Sequence, residues 1–108
     1  MTKQVFLDDA HRSRFEMPVD DVLVFAEYHR GPGRIIVDRV VFPAKLLGTA
    51  APDRFMRRVI EHIRELKLKV EVEDPTFARW MDAHPENRDL LAPRQPPLDG
   101  SGGESARP

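Results

Sequence analysis

The segment from Arg34 to Asp74 constrains this chain more than any other. It opens with an apolar, β-branched run, Arg34 to Phe42, which reads as the best strand in the sequence. A loop follows, Pro43-Ala44-Lys45-Leu46-Leu47-Gly48-Thr49-Ala50-Ala51, and leads directly into a long helix. Apolar residues at Phe55, Met56, Val59, Ile60, Ile63 and Leu66 fall on one helical stripe, so one face of that helix must pack on a sheet. Pro52 suits its first turn, where a missing N–H costs little. A second strand, Leu68 to Val72, ends before Pro75. Gly48 is the only glycine between Gly33 and the C-terminal stretch. A helix start exposes unpaired N–H groups and the positive end of the dipole, and a glycine beside it lets backbone approach a phosphate. The run therefore predicts an anion site for a phosphorylated small molecule.

The flanking sequence supplies the rest of the sheet. Arg12 to Met17 mixes basic and apolar residues before Pro18, and Asp20-Asp21 is a turn. Val22 to Tyr28 is rich in strand formers, and its continuous apolar start predicts cover on both faces. His29-Arg30-Gly31-Pro32-Gly33 is turn chemistry. These segments predict an antiparallel meander of three strands, in a three- or four-stranded antiparallel region with the final strand beside the best one. Phe77, Trp80 and Met81 form the core side of a short helix, broken by His84-Pro85-Glu86, and Glu86 to Leu91 allows a last helical turn or two. Strands first, then helix, strand and helix, make an α+β fold. Pro93 to Pro108 concentrates Pro, Gly and Ser around one aliphatic residue, Leu98, and reads as a disordered tail after a single domain over residues 1–92. Its folded part, Lys3 to Ala92, is of a size that buries roughly 60% of its unfolded surface. A cleft suits that size better than an enclosed cavity.

Charge and composition exclude several functions. Lys plus Arg number 17 against 18 Asp plus Glu, which gives no argument for nucleic acid. The absence of cysteine removes disulfides, thiol nucleophiles and thiolate metal sites. No signal peptide or bilayer-spanning stretch is visible, so a soluble, cytoplasmic protein with no membrane partner is expected. His11, His29, His62 and His84 show no metal-type spacing, and Ser13 and Ser101 have no His–Asp context.

Segment order and residues together resemble the GNAT superfamily of acyl-CoA N-acyltransferases, specifically its minimal single-domain Yjdj-type subgroup. Lys45-Leu46-Leu47-Gly48-Thr49-Ala50 fits the superfamily's pyrophosphate-loop pattern. The subgroup's second signature is a strand leading to a proline, a short helix, then His-Pro-Glu and Asp-Leu-Leu. It is matched by Val70 to Pro75, Phe77 to Met81, His84-Pro85-Glu86 and Asp89-Leu90-Leu91. Arg14-Phe15-Glu16 resembles the subgroup's first strand, so the likeness runs from about Arg14 to Leu91. The resemblance implies acetyl-CoA as cofactor, with pantetheine along Val40, Val41 and Phe42 and pyrophosphate on amides from about Leu46 to Ala51. Arg54, Arg57 and Arg58 read either as added contacts to the CoA phosphates or, the favoured reading, as a solvated helix face. It also implies that the two strands splay apart, between Val40-Val41-Phe42 and Val70-Glu71-Val72.

The chain departs from the subgroup at the chemistry. Arg39-Val40-Val41 replaces a usual His-Thr-Glu, and Asp74 stands where a cysteine is usual. Pro52 removes one N–H beside the loop, and Ala50-Ala51 stand where glycine is frequent. Asp74 is the candidate for proton handling, with Glu73 and His84 behind it. Glu71, Glu73 and Asp74 read either as an attractor for a cationic amine or as strand-end charges that discourage pairing. The expected function is acetyl transfer from CoA to an amine-bearing small molecule or protein. The alternative is a catalytically degenerate CoA-binding protein, or a protein-interaction module on the same fold.

Overall fold

A computed structural model of the chain describes residues 6–92, so the expected tail from Pro93 and the expected start of the folded part at Lys3 lie outside the described residues. Five strands form one sheet in the order β1-β2-β3-β4-β5: β1 Leu7–Asp9, β2 Arg14–Val19, β3 Val22–Gly31, β4 Arg34–Val41 and β5 Lys69–Val72. The first four are antiparallel, and β5 pairs parallel to β4 across the long helix α1, Ala51–Glu65. A short helix α2, Pro75–Asp82, and a 3-10 segment, Pro85–Leu90, complete the α+β fold.

The antiparallel region has four strands, β1 adding one to the three-strand meander. Leu7-Asp8-Asp9 carries no strand-forming signal, and it is held by pairing with Arg14–Glu16 and by one side chain. Asp8 accepts hydrogen bonds from the Tyr28 hydroxyl (2.6 Å) and shares its other oxygen with His62 Nε2 (2.9 Å), tying the edge strand to β3 and α1. Burial, reinforced by that carboxylate, raises the Tyr28 hydroxyl above its ordinary pKa. Strand β3 runs through His29 and Arg30, which pair with Ile36 and Ile35, and the turn shrinks to Pro32-Gly33 with Gly33 at φ +71°.

Val24, Ala26 and Tyr28 of β3 join Phe15, Met17, Ile35, Val37 and the helix stripe in one core. The alternate residues do not: Leu23 is exposed, and Phe25 is half-buried beneath the Arg14 guanidinium, 4.3 Å from its ring centroid. Cover on both faces is therefore corrected to cover on one, as the two-residue period of an antiparallel sheet requires.

Helix α1 buries Ala51, Phe55, Met56, Val59, Ile60 and Ile63, while Leu66 lies past its end and is exposed. It stops without glycine. Lys67 adopts φ +60°, its N–H bonds to Arg64 O, and Leu68 N–H bonds to Ile63 O, which together close the last carbonyls.

Candidate functional site

The site begins with an extra residue in β4. Glu27 pairs with Arg39 and Tyr28 with Val37, which leaves Asp38 as a β-bulge. A bulge bends its strand and increases its twist. On the other edge, β4 pairs with β5 only from Arg34↔Lys69 to Val37↔Val72, with Glu73 N–H donating a last bond to Val37 O (2.9 Å). Beyond that point the two strands part. The expected opening between Val40-Val41-Phe42 and Val70-Glu71-Val72 is thus corrected: Val70 to Val72 are fully paired with Ile35 to Val37. The residue that faces the freed edge is Asp74.

Asp74 is the one buried charged residue among the described residues, 8% exposed. It caps α2, with Oδ2 accepting from Phe77 N–H (2.9 Å) and Pro75 filling the first helical position. Its Oδ1 accepts from Val40 N–H across the opening (3.2 Å). One carboxylate therefore satisfies both a helix start and a strand edge that has lost its neighbour. Glu71 lies back on β5 with Oε1 3.5 Å from Arg34, so the three acids of the sequence do not form one cluster facing the opening.

From Val40 the strand continues through Val41 and Phe42 into a 3-10 turn, Ala44–Leu46, and the loop. Gly48 sits at φ +82°, a conformation that favours glycine, and a Cβ placed there would meet nothing within 4 Å. Conformation rather than crowding demands the glycine, and the space above it is open. Thr49 folds the loop onto the helix: its hydroxyl donates to Leu46 O (2.6 Å) and accepts from Ala51 N–H (3.2 Å). Ala50, the residue before α1, provides no side-chain cap. The N–H groups of Gly48, Ala50 and Asp53 have no acceptor among the described residues, leaving donors at the positive end of α1.

Of these three residues, Ala50 lines an open hollow of about 370 Å³ at the helix start, whereas Gly48 and Asp53 lie outside its wall. Lys45, Leu46, Thr49, Ala50 and Ala51 of the loop line it, but Gly48 does not. Val19 and Asp20 close it from the β2–β3 turn, a wall no local pattern in the loop announces. Leu47 is exposed, and Val40, Val41 and Phe42 lie on the strand leading to the hollow rather than in its wall.

The three arginines of α1 separate clearly. Arg54 lines the hollow and forms no ion pair among the described residues. Arg57 instead binds Asp53 (3.3 Å), and Arg58 binds Glu61 (3.2 Å) while lying 4.7 Å from the Phe6 ring centroid. Lys45 is engaged by Asp21, whose hydrogen bond raises the lysine pKa while lowering that of the aspartate.

Helix α2 is fixed to the start of α1 by a polar tie. Trp80 Nε1 donates to Asp53 Oδ1 (2.9 Å), and that bond, followed by Arg57 and His84, holds the Asp53 carboxyl below its ordinary pKa. His84 stacks on Trp80 at 4.0 Å between ring centroids and places Nδ1 2.7 Å from Trp80 O, closing the end of α2. Among the described residues, no group of three or more His, Asp or Glu is arranged to hold a metal, and no helix is long and apolar enough to cross a membrane.

A bulged fourth strand that parts from a parallel fifth and feeds a donor-rich loop at a helix start defines an α+β domain of the GNAT type. The chain belongs to the GCN5-related N-acetyl-transferase family, which it matches over residues 14–90. No curated protein matches it.

Proposed function

We propose that the chain is an acetyl-CoA-dependent N-acetyltransferase acting on an amine-bearing acceptor. The observation that carries this reading is the alignment, along one strand, of a freed backbone edge at Val40 and a phosphate-sized hollow at the start of α1. The residues present fit the ligand. The free N–H of Ala50 and the cation of Arg54 line the hollow and suit a pyrophosphate, and the unpaired N–H groups of Gly48 and Asp53 belong to the same helix start.

Bound there, an acyl thioester supplies an electrophilic carbonyl: the amine nitrogen attacks it, the C–S bond breaks, and the proton lost from nitrogen passes to solvent or to the departing thiolate. The chain's own part is to orient and polarise. Val40 N–H lies on the parted edge, where a backbone donor stabilises developing negative charge on the carbonyl oxygen. Asp74 stands beside it as the carboxylate assigned to proton handling. Glu73, which ends the paired stretch, and His84, engaged with Trp80, are less directly placed.

A second reading has its own observation. Both Asp74 oxygens already hold backbone N–H groups, and Arg39-Val40-Val41 offers no side-chain base, which suits a protein that binds CoA without turnover. Titration of acetyl-CoA into isotopically labelled protein tests the shared premise, with amide shifts expected from Leu47 to Ala51. Silence there at millimolar ligand would remove both readings and leave an interaction module. Thiol release with a panel of polyamines and lysine peptides then separates enzyme from binder. Gly48→Val should weaken CoA binding roughly tenfold, because it forces a branched side chain into φ +82° beneath the phosphate; unchanged affinity would place the cradle elsewhere.

A further inference from the structure

The bond from Val40 N–H to Asp74 has a consequence for how an acyl group is received. A backbone N–H on a parted strand edge is ordinarily hydrated or left for a ligand, yet here a buried carboxylate covers it at 3.2 Å. The same carboxylate is anchored independently through Oδ2 to Phe77 N–H at 2.9 Å, so releasing Val40 would not release the side chain from α2. The Val40 bond is the longer of the two and spans two elements, whereas the Phe77 bond lies within one helix cap.

We infer that Asp74 is a positioning residue that acts as a displaceable cover on the Val40 N–H, and that it weakens the hold of the site on acylated CoA while leaving free CoA unaffected. The inference rests on the acyl-CoA reading above. An entering thioester carbonyl takes the Val40 N–H in place of Oδ1. Oδ1 is thereby released inside the opening, where an acceptor amine must arrive and lose its proton. Free CoA has no carbonyl at that point and leaves the cover closed. The cover keeps the edge satisfied and the two strand ends in register while no acyl group is present. It also subtracts the cost of breaking one hydrogen bond from acyl-CoA affinity alone.

Asp74→Ser separates the two jobs, because a serine caps a helix as well as aspartate does but is one carbon shorter and does not reach Val40. In that variant Val40 N–H exchange with solvent should accelerate at least about tenfold while Phe77 N–H stays protected. Acetyl-CoA should bind about three- to tenfold tighter, the size of one hydrogen bond, with CoA affinity unchanged. A shift of both ligands by the same factor, or an unaltered Val40 exchange rate, would overturn the proposal. The wild-type protein gives a second measurement should the variant fail to fold. There, acetyl-CoA but not CoA should move the Val40 amide and Asp74 carboxyl resonances, and equal shifts from the two ligands would refute the cover. If CoA itself does not bind the loop, the reading of the site has failed and the cover falls with it. If CoA binds and the two ligands behave alike, the cover alone is wrong.

Discussion

The two halves of β4 both carry β-branched residues and do opposite work. Arg34 to Val37 is bonded on both edges, to β3 and to β5, and Ile35 and Val37 are fully buried beneath the helices. Asp38 to Val41 keeps only β3; Val40 and Val41 are half-buried, and the freed edge is met at Val40 by a side chain instead of a strand. Strand-forming composition makes both halves extended, but the neighbour decides whether the result is structure or site. A backbone ladder is cooperative and closed to ligands. One carboxylate on one N–H is local and can be exchanged.

Truncating each half in turn separates their roles. Ile35→Ala leaves a cavity in the core and should cost about 2–5 kcal/mol, read from urea denaturation midpoints. Val41→Ala removes a half-exposed side chain from the parted half and should cost less than about 1 kcal/mol. Comparable losses at the two positions would mean that the parted half is as much a part of the core as the paired one.

A smaller effect tests the far wall of the opening, α2, which carries Asp74 on its cap and is held to α1 by the bond from Trp80 to Asp53. The Asp53 carboxyl titrates below its ordinary value of 3.8, chiefly because of Trp80. A carboxylate with a lowered folded pKa contributes stability that is complete above the unfolded value and is lost as pH falls through the folded one. Asp53→Asn should therefore lower stability at pH 7, by about 1 kcal/mol or less because the side chain is 44% exposed. The gap between variant and wild type should close as acid neutralises Asp53, below its ordinary 3.8. Trp80 fluorescence across an acid titration reports the same event, and a gap that persists in acid would assign the tie to packing rather than charge.

These contrasts explain which features the sequence displays. The α1 stripe, the strand character of β3 and β4 and the glycine before α1 are local patterns, and they appear where periodicity and turn chemistry place them. The bulge at Asp38 depends on the register between β3 and β4, and the point where β5 leaves β4 on pairing between residues more than thirty positions apart, neither of which a local pattern records. The end of α1 is equally silent, since Lys67 takes the left-handed position that glycine usually marks. For the hollow, the contribution of Lys45, Leu46, Thr49, Ala50 and Ala51 comes from a loop and a helix start, which are local events. The wall from Val19 and Asp20 was not legible, because it arrives from another turn. Asp74 was legible as a carboxylate at the end of the late strand, but its bond to Val40, 34 residues away, is a property of the fold alone.

The smallest expected effect concerns that other turn. Asp21, beside Asp20 in the β2–β3 turn, holds Lys45 of the loop through an ion pair in which both side chains are largely exposed. Such a pair contributes little to folding, so Asp21→Asn should leave the denaturation midpoint unchanged. It would, however, release a cation at the wall of the hollow that the parted half of β4 leads into. Acetyl-CoA should then bind about two- to fivefold tighter at low salt, with the gain vanishing by about 0.3 M salt as screening removes it. Calorimetric titration at the two ionic strengths reads this directly. A lower midpoint with unchanged affinity would show instead that the pair fastens the loop to the β2–β3 turn. The loop would then belong with the paired half of β4, and the division between structure and site would have to fall further along the chain.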